Sequence, residues 1–343
     1  MPCTDCWHCG FALSKLRYEV RSCTRPRLFC IPNSGFLKEF DVHHRPSKAH
    51  WLMVPRWLAC KASAYWKLTK SLQTGLLLIT GIAGYESARC SVTTSQTFLG
   101  MIGSLFLAIS GSTVFNMVLD RDLDARMYRT CWRPLPLGTV SVRESLVLGL
   151  VLSVLGVGWA LALGRAYGSV VLAGWFFDVV IYTLWLKRRT PLSILFGGVA
   201  GGMPVLAGRT LGMGSVDLVG LLLALAVLLW IPTHILTFSI KYAEDYRRAG
   251  IPTFPTEYGM RTTRTIITFS TAAAVLTMLV TAMLVGMTSG YLRLLVVFGV
   301  TLLGLAFVTM ARPAPRLNFL LFKFASLYML ASMSLIAVGT RVG

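Results

Sequence analysis

Asn116, Asp120 and Asp124 stand at i, i+4 and i+8 in the stretch Asn116-Met-Val-Leu-Asp120-Arg-Asp122-Leu-Asp124-Ala-Arg126. On a helix turning about 100° per residue they drift only about 40° per step, so three oxygen-bearing side chains share one face. An all-oxygen set of this kind suits Mg²⁺, which is commonly held by one or two carboxylates together with substrate phosphates. Asp122, about 200° from Asp120 on the same helix, faces away. The competing reading is a solvated helix end whose acids pair with Arg121, Arg126 and Arg129. It accounts for one or two acids, but less readily for Asn and Asp at helical spacing running into an apolar stretch. A second acidic pair, Glu244-Asp245, follows Lys241, which stands one helical turn before Asp245. Arg129, Arg133, Lys187, Arg188 and Lys241 are the basic side chains placed to meet phosphate oxygens, the arginines in bidentate fashion. Each also has a simpler use as a charge that fixes membrane topology.

The elements that carry these residues follow from composition. Of 343 residues 55% are hydrophobic and only 14% charged, against roughly 25% charged in a soluble domain. The net charge of +19 does not indicate a nucleic-acid partner, because the Lys and Arg residues lie between apolar runs rather than along a polar face. Apolar runs of about 20 residues predict nine membrane spans, near 67–86, 97–119, 143–164, 167–186, 192–209, 217–240, 265–287, 290–311 and 318–340. Basic residues crowd the links after the second, fourth, sixth and eighth spans. By the positive-inside tendency those links, the acidic clusters and the N-terminus are cytoplasmic in a multi-pass protein of the cell membrane.

The expected domain organisation is a basic, Cys-rich segment over residues 1–60 and a membrane-embedded domain over 61–343. The segment carries Cys3, Cys6, Cys9, Cys23 and Cys30 and four of the five His. The Cys3-x-x-Cys6-x-x-Cys9 spacing invites zinc, yet no second pair at ribbon-like spacing accompanies it. A disordered tail, or a natural start at Met53, is the expectation instead.

The Asn-x-x-x-Asp-x-x-x-Asp signature resembles the first aspartate-rich motif of the UbiA-type intramembrane prenyltransferases. Its surroundings, NMVLDRDLDARMYRTCWRPLPLGTVSVRESL, are similar to the heme O synthases (protoheme IX farnesyltransferases) within that superfamily. So are YTLWLKRRTPLSILFGGVAGGMPVLAG from Tyr182 and WIPTHILTFSIKYAEDYRRAGIPTFP from Trp230. The resemblance implies an all-α bundle of about nine transmembrane helices around a central cavity. It also implies two acidic motifs that hold Mg²⁺ and farnesyl diphosphate, with heme B as the acceptor. Asn116, Asp120, Asp124 and Asp245 are the catalytic and metal-holding positions it assigns. At the second motif the chain departs from Asp-x-x-x-Asp, because Ala249 stands four after Asp245; Glu244 is a candidate to compensate.

His234, in IPTHILTF, lies within the sixth run, where an imidazole needs a partner. One reading is a hydrogen bond to a neighbouring helix, eased by Pro232. The resemblance places a histidine here and favours a contact to heme iron, for which His is a frequent ligand. Asp178 has no partner legible in the sequence. Gly197, Gly198, Gly201, Gly202 and Gly208 point to close helix approach rather than to room for a bulky acceptor. Two other readings remain open on the residues. One is prenyl transfer to an aromatic quinone precursor or a glycerol phosphate lipid, which His234 and the Ala249-Gly-Ile-Pro252 stretch disfavour. The other is a transporter, whose acids belong nearer the bilayer midplane than at one edge.

Overall fold

A computed structural model describes residues 61–89 and 94–340 of the chain. The Cys-rich segment, its zinc reading and the Met53 start lie outside the described residues. Within them the apolar runs become helices, since a backbone in hydrocarbon must satisfy its own N–H and C=O groups. In chain order these are α1 (Ser71–Ser87), α2 (Ser95–Leu119), α3 (Arg121–Arg126), α4 (Val142–Leu163) and α5 (Arg165–Phe176), which continues as a π-helical segment, Phe177–Leu186. Next come α6 (Ser193–Met213), α7 (Leu218–Lys241), α8 (Ala243–Ala249) and α9 (Phe254–Glu257). The last three are α10 (Gly259–Leu284), α11 (Ser289–Ala311) and α12 (Pro315–Gly339).

The fold is an all-α membrane bundle. Among the described residues eight helices are long and apolar enough to cross a membrane. The remaining expected span, the first, near 67–86, is α1, which at 17 residues rises only about 26 Å, short of a hydrocarbon core of about 30 Å. It begins late because Lys70 adopts a left-handed conformation, φ 45° and ψ 53°, which separates it from the helical turns over residues 61–68.

Neighbouring spans pack in order around a ring. α1 meets α2, α2 meets α4, α4 meets α5, and α5 meets α6; α7 then bridges α6 to α10 and α12, and α12 returns to α1. Two glycine contacts set how tightly the ring closes. A Cβ built at Gly208 would lie 1.9 Å from the Gly81 carbonyl oxygen, and one at Gly84 would lie 2.0 Å from that of Val205. α1 and α6 are therefore in backbone contact, which only residues without a side chain allow. Gly202 likewise abuts the Ala224 carbonyl oxygen of α7, at 2.7 Å from a built Cβ. Packing is thus the use of these glycines.

At one edge of the bundle Asp217 caps α7, and its carboxylate receives the buried Arg209 guanidinium, Nη2 to Oδ2 2.7 Å, while Arg209 Nη1 donates to the Ser87 carbonyl at 2.7 Å. That edge is locked by paired charge. At the opposite edge lie α3, α8 and the acidic motifs.

Candidate active site

The helix carrying the first motif breaks without losing its pitch. α2 ends at Leu119, and Asp120, at φ −90° and ψ 1°, serves both as its C-cap and as the entry to α3. Backbone hydrogen bonds from Asp120 N to Asn116 O (2.9 Å) and from Asp124 N to Asp120 O (2.8 Å) continue through the break. Asn116, Asp120 and Asp124 accordingly remain on one face, 8%, 5% and 4% exposed. Asp122 turns outward, as the spacing requires, and pairs with Arg188, Nη2 to Oδ1 2.6 Å.

α8 is held against α3 by a small apolar cluster of Leu123, Met127, Ala249 and Ile251. Gly250 makes this possible. It stands in the left-handed region, φ 70°, as the C-cap of α8, and Ile251 N closes the turn on Tyr246 O at 3.0 Å. Ala249, four after Asp245, is 2% exposed among the apolar side chains of this cluster, where a carboxylate would be buried without a partner. Glu244 does not replace it, for its side chain is exposed and pairs with Arg247 and Arg248 of its own helix.

Between these elements opens a pocket of about 790 Å³, solvent at its mouth included, lined by Lys70, Asp120, Asp124, Arg129, Arg133 and Lys187 and by an apolar wall that includes Ile194, Ile235, Leu236 and Phe254. The acids are already matched to cations. Lys187 Nζ donates to Asp120 Oδ2, and Arg133 Nη1 reaches both oxygens of Asp124, at 2.9 and 2.7 Å. Arg129 spreads over the rings of Phe238 and Tyr242, 4.8 and 5.4 Å from their centroids. Two buried polar atoms here have no partner: Asp120 Oδ1 and Arg129 Nε. A buried acceptor and a buried donor left open in one pocket call for a cation and an anion respectively. Burial, with Arg133 and Lys187 nearby, pushes the Lys70 ammonium down to about 8. Four basic groups against two carboxylates give the pocket an excess of positive charge, which suits a polyanion.

Other expected site residues stand behind or beside the pocket rather than in it. Asn116 has both polar ends engaged: Nδ2 donates to Asp178 Oδ2 at 2.9 Å and Oδ1 accepts from Thr183 Oγ1 at 2.5 Å. The π-helical segment explains this grip, because i to i+5 hydrogen bonding brings residues five apart onto one side, here Asp178 and Thr183. Asp178 thereby gains the partner the sequence left unnamed. Asp245 Oδ2 accepts from the Arg129 backbone N–H at 3.4 Å, holding the turn that presents Arg129. Arg188 is committed to Asp122 and to the Leu119 carbonyl, 2.5 Å from Nη2. Lys241 lies over the Phe319 ring, 3.8 Å from its centroid, away from the lining residues. His234 also faces α12: its ring is stacked between Trp230 and Phe322, and Nδ1 lies 3.2 Å from Ser326 Oγ.

Lys70 was the pocket residue not anticipated from sequence. Its signal was faint: one basic residue ahead of the first apolar run, where charge serving topology is common. Tyr182, Tyr246, Ser239 and Thr253 likewise line the pocket without a motif to announce them.

Among the described residues no three His, Cys, Asp or Glu side chains converge to hold a metal by themselves. The pocket nonetheless fits Mg²⁺ in the form that ion favours, a carboxylate or two completed by phosphate oxygens and water. Asp120, with Oδ1 open, and Asp124, whose oxygens are both taken by Arg133, are the carboxylates that could serve such an ion.

Comparison with known proteins agrees with the fold. Residues 77–329 match the UbiA prenyltransferase family. A protoheme IX farnesyltransferase of Archaeoglobus fulgidus is 44% identical over 213 residues, 62% of this chain and 75% of that protein. Another, from Pyrobaculum islandicum, is 40% identical over 245 residues, 71% of this chain and 83% of its own. Among solved structures, a digeranylgeranylglyceryl phosphate synthase superposes with a TM-score of 0.70 at 20% identity, covering 82% of this chain and 99% of that one. A UbiA homolog from Archaeoglobus fulgidus bound to GPP and Mg²⁺ superposes with a TM-score of 0.60 at 15% identity, over 80% and 99%. At these identities the solved structures speak for the fold, and the sequence matches for the kinship: this chain is a prenyltransferase that belongs to the UbiA prenyltransferase family.

Proposed function

We propose that the chain transfers a farnesyl group from farnesyl diphosphate to a vinyl group of heme B, giving heme O and diphosphate. The observation that carries the donor half is the cationic pocket with its open Asp120 Oδ1 and Arg129 Nε. The acceptor half rests on relatives named protoheme IX farnesyltransferase.

Lys70, Arg129, Arg133 and Lys187 bind the diphosphate, each charge aimed where negative charge grows as the allylic C–O bond breaks. Asp120 and Asp124 hold Mg²⁺, which when bound supplies further neutralisation of the leaving diphosphate. Asn116 and Asp245 position this set through the contacts described above. The bond's electron pair departs with the diphosphate, and the vinyl π-electrons close the new C–C bond at the allylic carbon. Water then adds to the resulting cation and loses a proton, completing the hydroxyethyl group. The apolar wall of Ile194, Ile235, Leu236 and Phe254 keeps water from the allylic cation before that bond forms. A cytoplasmic position for the site, at the edge of the cell membrane, is supported by the basic links under the positive-inside tendency.

The test is an acceptor assay. Membranes containing the protein, supplied with Mg²⁺, farnesyl diphosphate and heme B, are expected to yield a markedly more hydrophobic heme by reversed-phase chromatography with mass detection. An unchanged heme peak alongside prenylation of another acceptor would remove the heme assignment and leave prenyl transfer standing.

A further inference from the structure

Beside the cationic pocket, α7 and α12 share a strip of aromatic rings that the donor site does not use. Trp230, His234, Phe322 and Phe319 stack in sequence, with centroid separations of 4.9, 4.6 and 6.1 Å and interplanar angles of 17°, 21° and 13°. None of the four is fully buried. At the membrane edge the stack ends under two ammonium groups: Lys241 Nζ and Lys323 Nζ lie 3.8 and 4.7 Å from the Phe319 centroid. Neither lysine has an acidic partner among the described residues. Two like charges gathered on one ring repel each other, and an anion with two negative groups relieves that repulsion.

Spacing makes these groups one surface. His234, Phe238 and Lys241 fall at i, i+4 and i+7 on α7, and Phe319, Phe322, Lys323 and Ser326 at i, i+3, i+4 and i+7 on α12, so each set shares a helix face. Seven residues separate the imidazole from the Lys241 ammonium by about 10 Å along the axis. Nearly parallel rings offer their edges sideways, and an edge-on ring is the arrangement that packs against the face of a large π-system. His234 suits the same geometry. When the Ser326 hydroxyl donates to the Phe322 carbonyl (3.2 Å), Nδ1 must donate to Ser326 Oγ (3.2 Å), leaving the Nε2 lone pair in the ring plane, pointing out of its edge.

We propose that this strip is the acceptor subsite, a surface for a planar, dianionic macrocycle whose two carboxylates are read by Lys241 and Lys323 at the membrane edge while its face lies along the aromatic stack. For heme B these carboxylates are the propionates; the inference therefore rests on the heme reading. Arg129 joins the two subsites, since it lines the pocket and also covers Phe238 and Tyr242. A macrocycle on the strip has its far rim directed into the bundle and its side toward the pocket, so the propionate anchor selects which vinyl group meets the allylic carbon.

The protein in nanodiscs of zwitterionic lipid is titrated with heme B and with heme B dimethyl ester, in which both propionates are masked. Binding is read from the Soret band, and farnesyl diphosphate binding is measured on the same samples. The wild type is expected to prefer the free acid, and Lys241→Gln with Lys323→Gln together to abolish that preference, with a loss of about fivefold per lysine for such exposed ion pairs. Retained farnesyl diphosphate binding shows that the double variant is folded. A double variant that still prefers the free acid would overturn the subsite and leave the lysines to lipid headgroups or topology. A wild type that binds heme B and its ester equally would overturn it too, without touching the heme reading. Failure of the wild type to bind either would overturn both.

Discussion

Asp122 offers an internal control for the assignment of the first motif, because it lies between two buried acids yet belongs to a different environment. Its carboxylate and the Arg188 guanidinium are 47% and 42% exposed, and exposed pairs of this kind contribute about 0–1 kcal/mol. Arg188, hydrogen bonded to Asp122, holds that carboxyl below the usual carboxylate range, so the pair is ionised at neutral pH. Arg188 also keeps its bond to the Leu119 carbonyl when Asp122 becomes neutral. Asp122→Asn should therefore lower turnover less than about fivefold. Asp120→Asn is different in kind. It removes negative charge from a pocket that already holds Lys70, Arg129, Arg133 and Lys187, unpairs the half-buried Lys187, and neutralises the open oxygen that faces the cation. Loss of one preorganised electrostatic contact in a shielded site commonly costs about 10²- to 10³-fold, and the same is expected of Asp124→Asn, which also frees Arg133. The assay is heme O formation at saturating farnesyl diphosphate and Mg²⁺, with membrane insertion and thermal unfolding measured for each variant. An Asp122→Asn enzyme as impaired as Asp120→Asn, with unfolding unchanged, would refute the division of the motif into a pocket face and a solvent face.

The depressed Lys70 group predicts that farnesyl diphosphate affinity at fixed Mg²⁺ weakens as pH rises through about 8, since only the protonated amine attracts phosphate. Lys70→Gln should bind more weakly at pH 7 and lose that part of the pH dependence; an unchanged profile would show that the lysine does not meet the phosphate. Gly208→Ala should lower the unfolding midpoint by several degrees, because its Cβ meets a backbone oxygen at 1.9 Å and overpacking costs about 1–3 kcal/mol. Gly158→Ala, whose Cβ meets nothing within 4 Å, should be neutral or slightly stabilising; equal effects in the two variants would contradict the α1–α6 backbone contact.

The spans were legible because hydrocarbon leaves the backbone few choices: eight of the nine expected runs coincide with helices long enough to span, α5 counted with its π-helical continuation, and the first with the shorter α1, the largest displacement being at the start of α10, expected at 265 and found at 259. The shared face of Asn116, Asp120 and Asp124 was legible for the same reason: helical pitch is a property of spacing alone. Asp245, Lys241 and His234 were harder, since what each meets, the Arg129 backbone, the Phe319 ring and Ser326, lies far off along the chain where spacing carries no information. Nor does a motif reveal how α7 is rotated in the bundle, which is what turns His234 toward Ser326 instead of the acids. Lys70 depended on one left-handed residue, and Asp178 on a π-helical register; neither leaves a periodic trace in the sequence.

That register reaches further than the hydrogen bonds it makes. From Phe177 to Leu186 the chain winds with more residues per turn than an α-helix, and its last bond, Lys187 N to Tyr182 O at 2.8 Å, delivers Lys187 onto Asp120. The segment behaves like a vernier between the membrane span and the loop that follows: chain length, rather than side-chain identity, sets the angle at which the cation arrives. Deleting one residue between 179 and 186 would remove the residue that the wide turns take up and let α-helical winding resume, which would undo the i to i+5 pairing of Asp178 with Thr183 and the Lys187 N to Tyr182 O bond. The length of a segment outside both acidic motifs therefore bears on how Asn116 and Lys187 are seated, with no substitution in either motif.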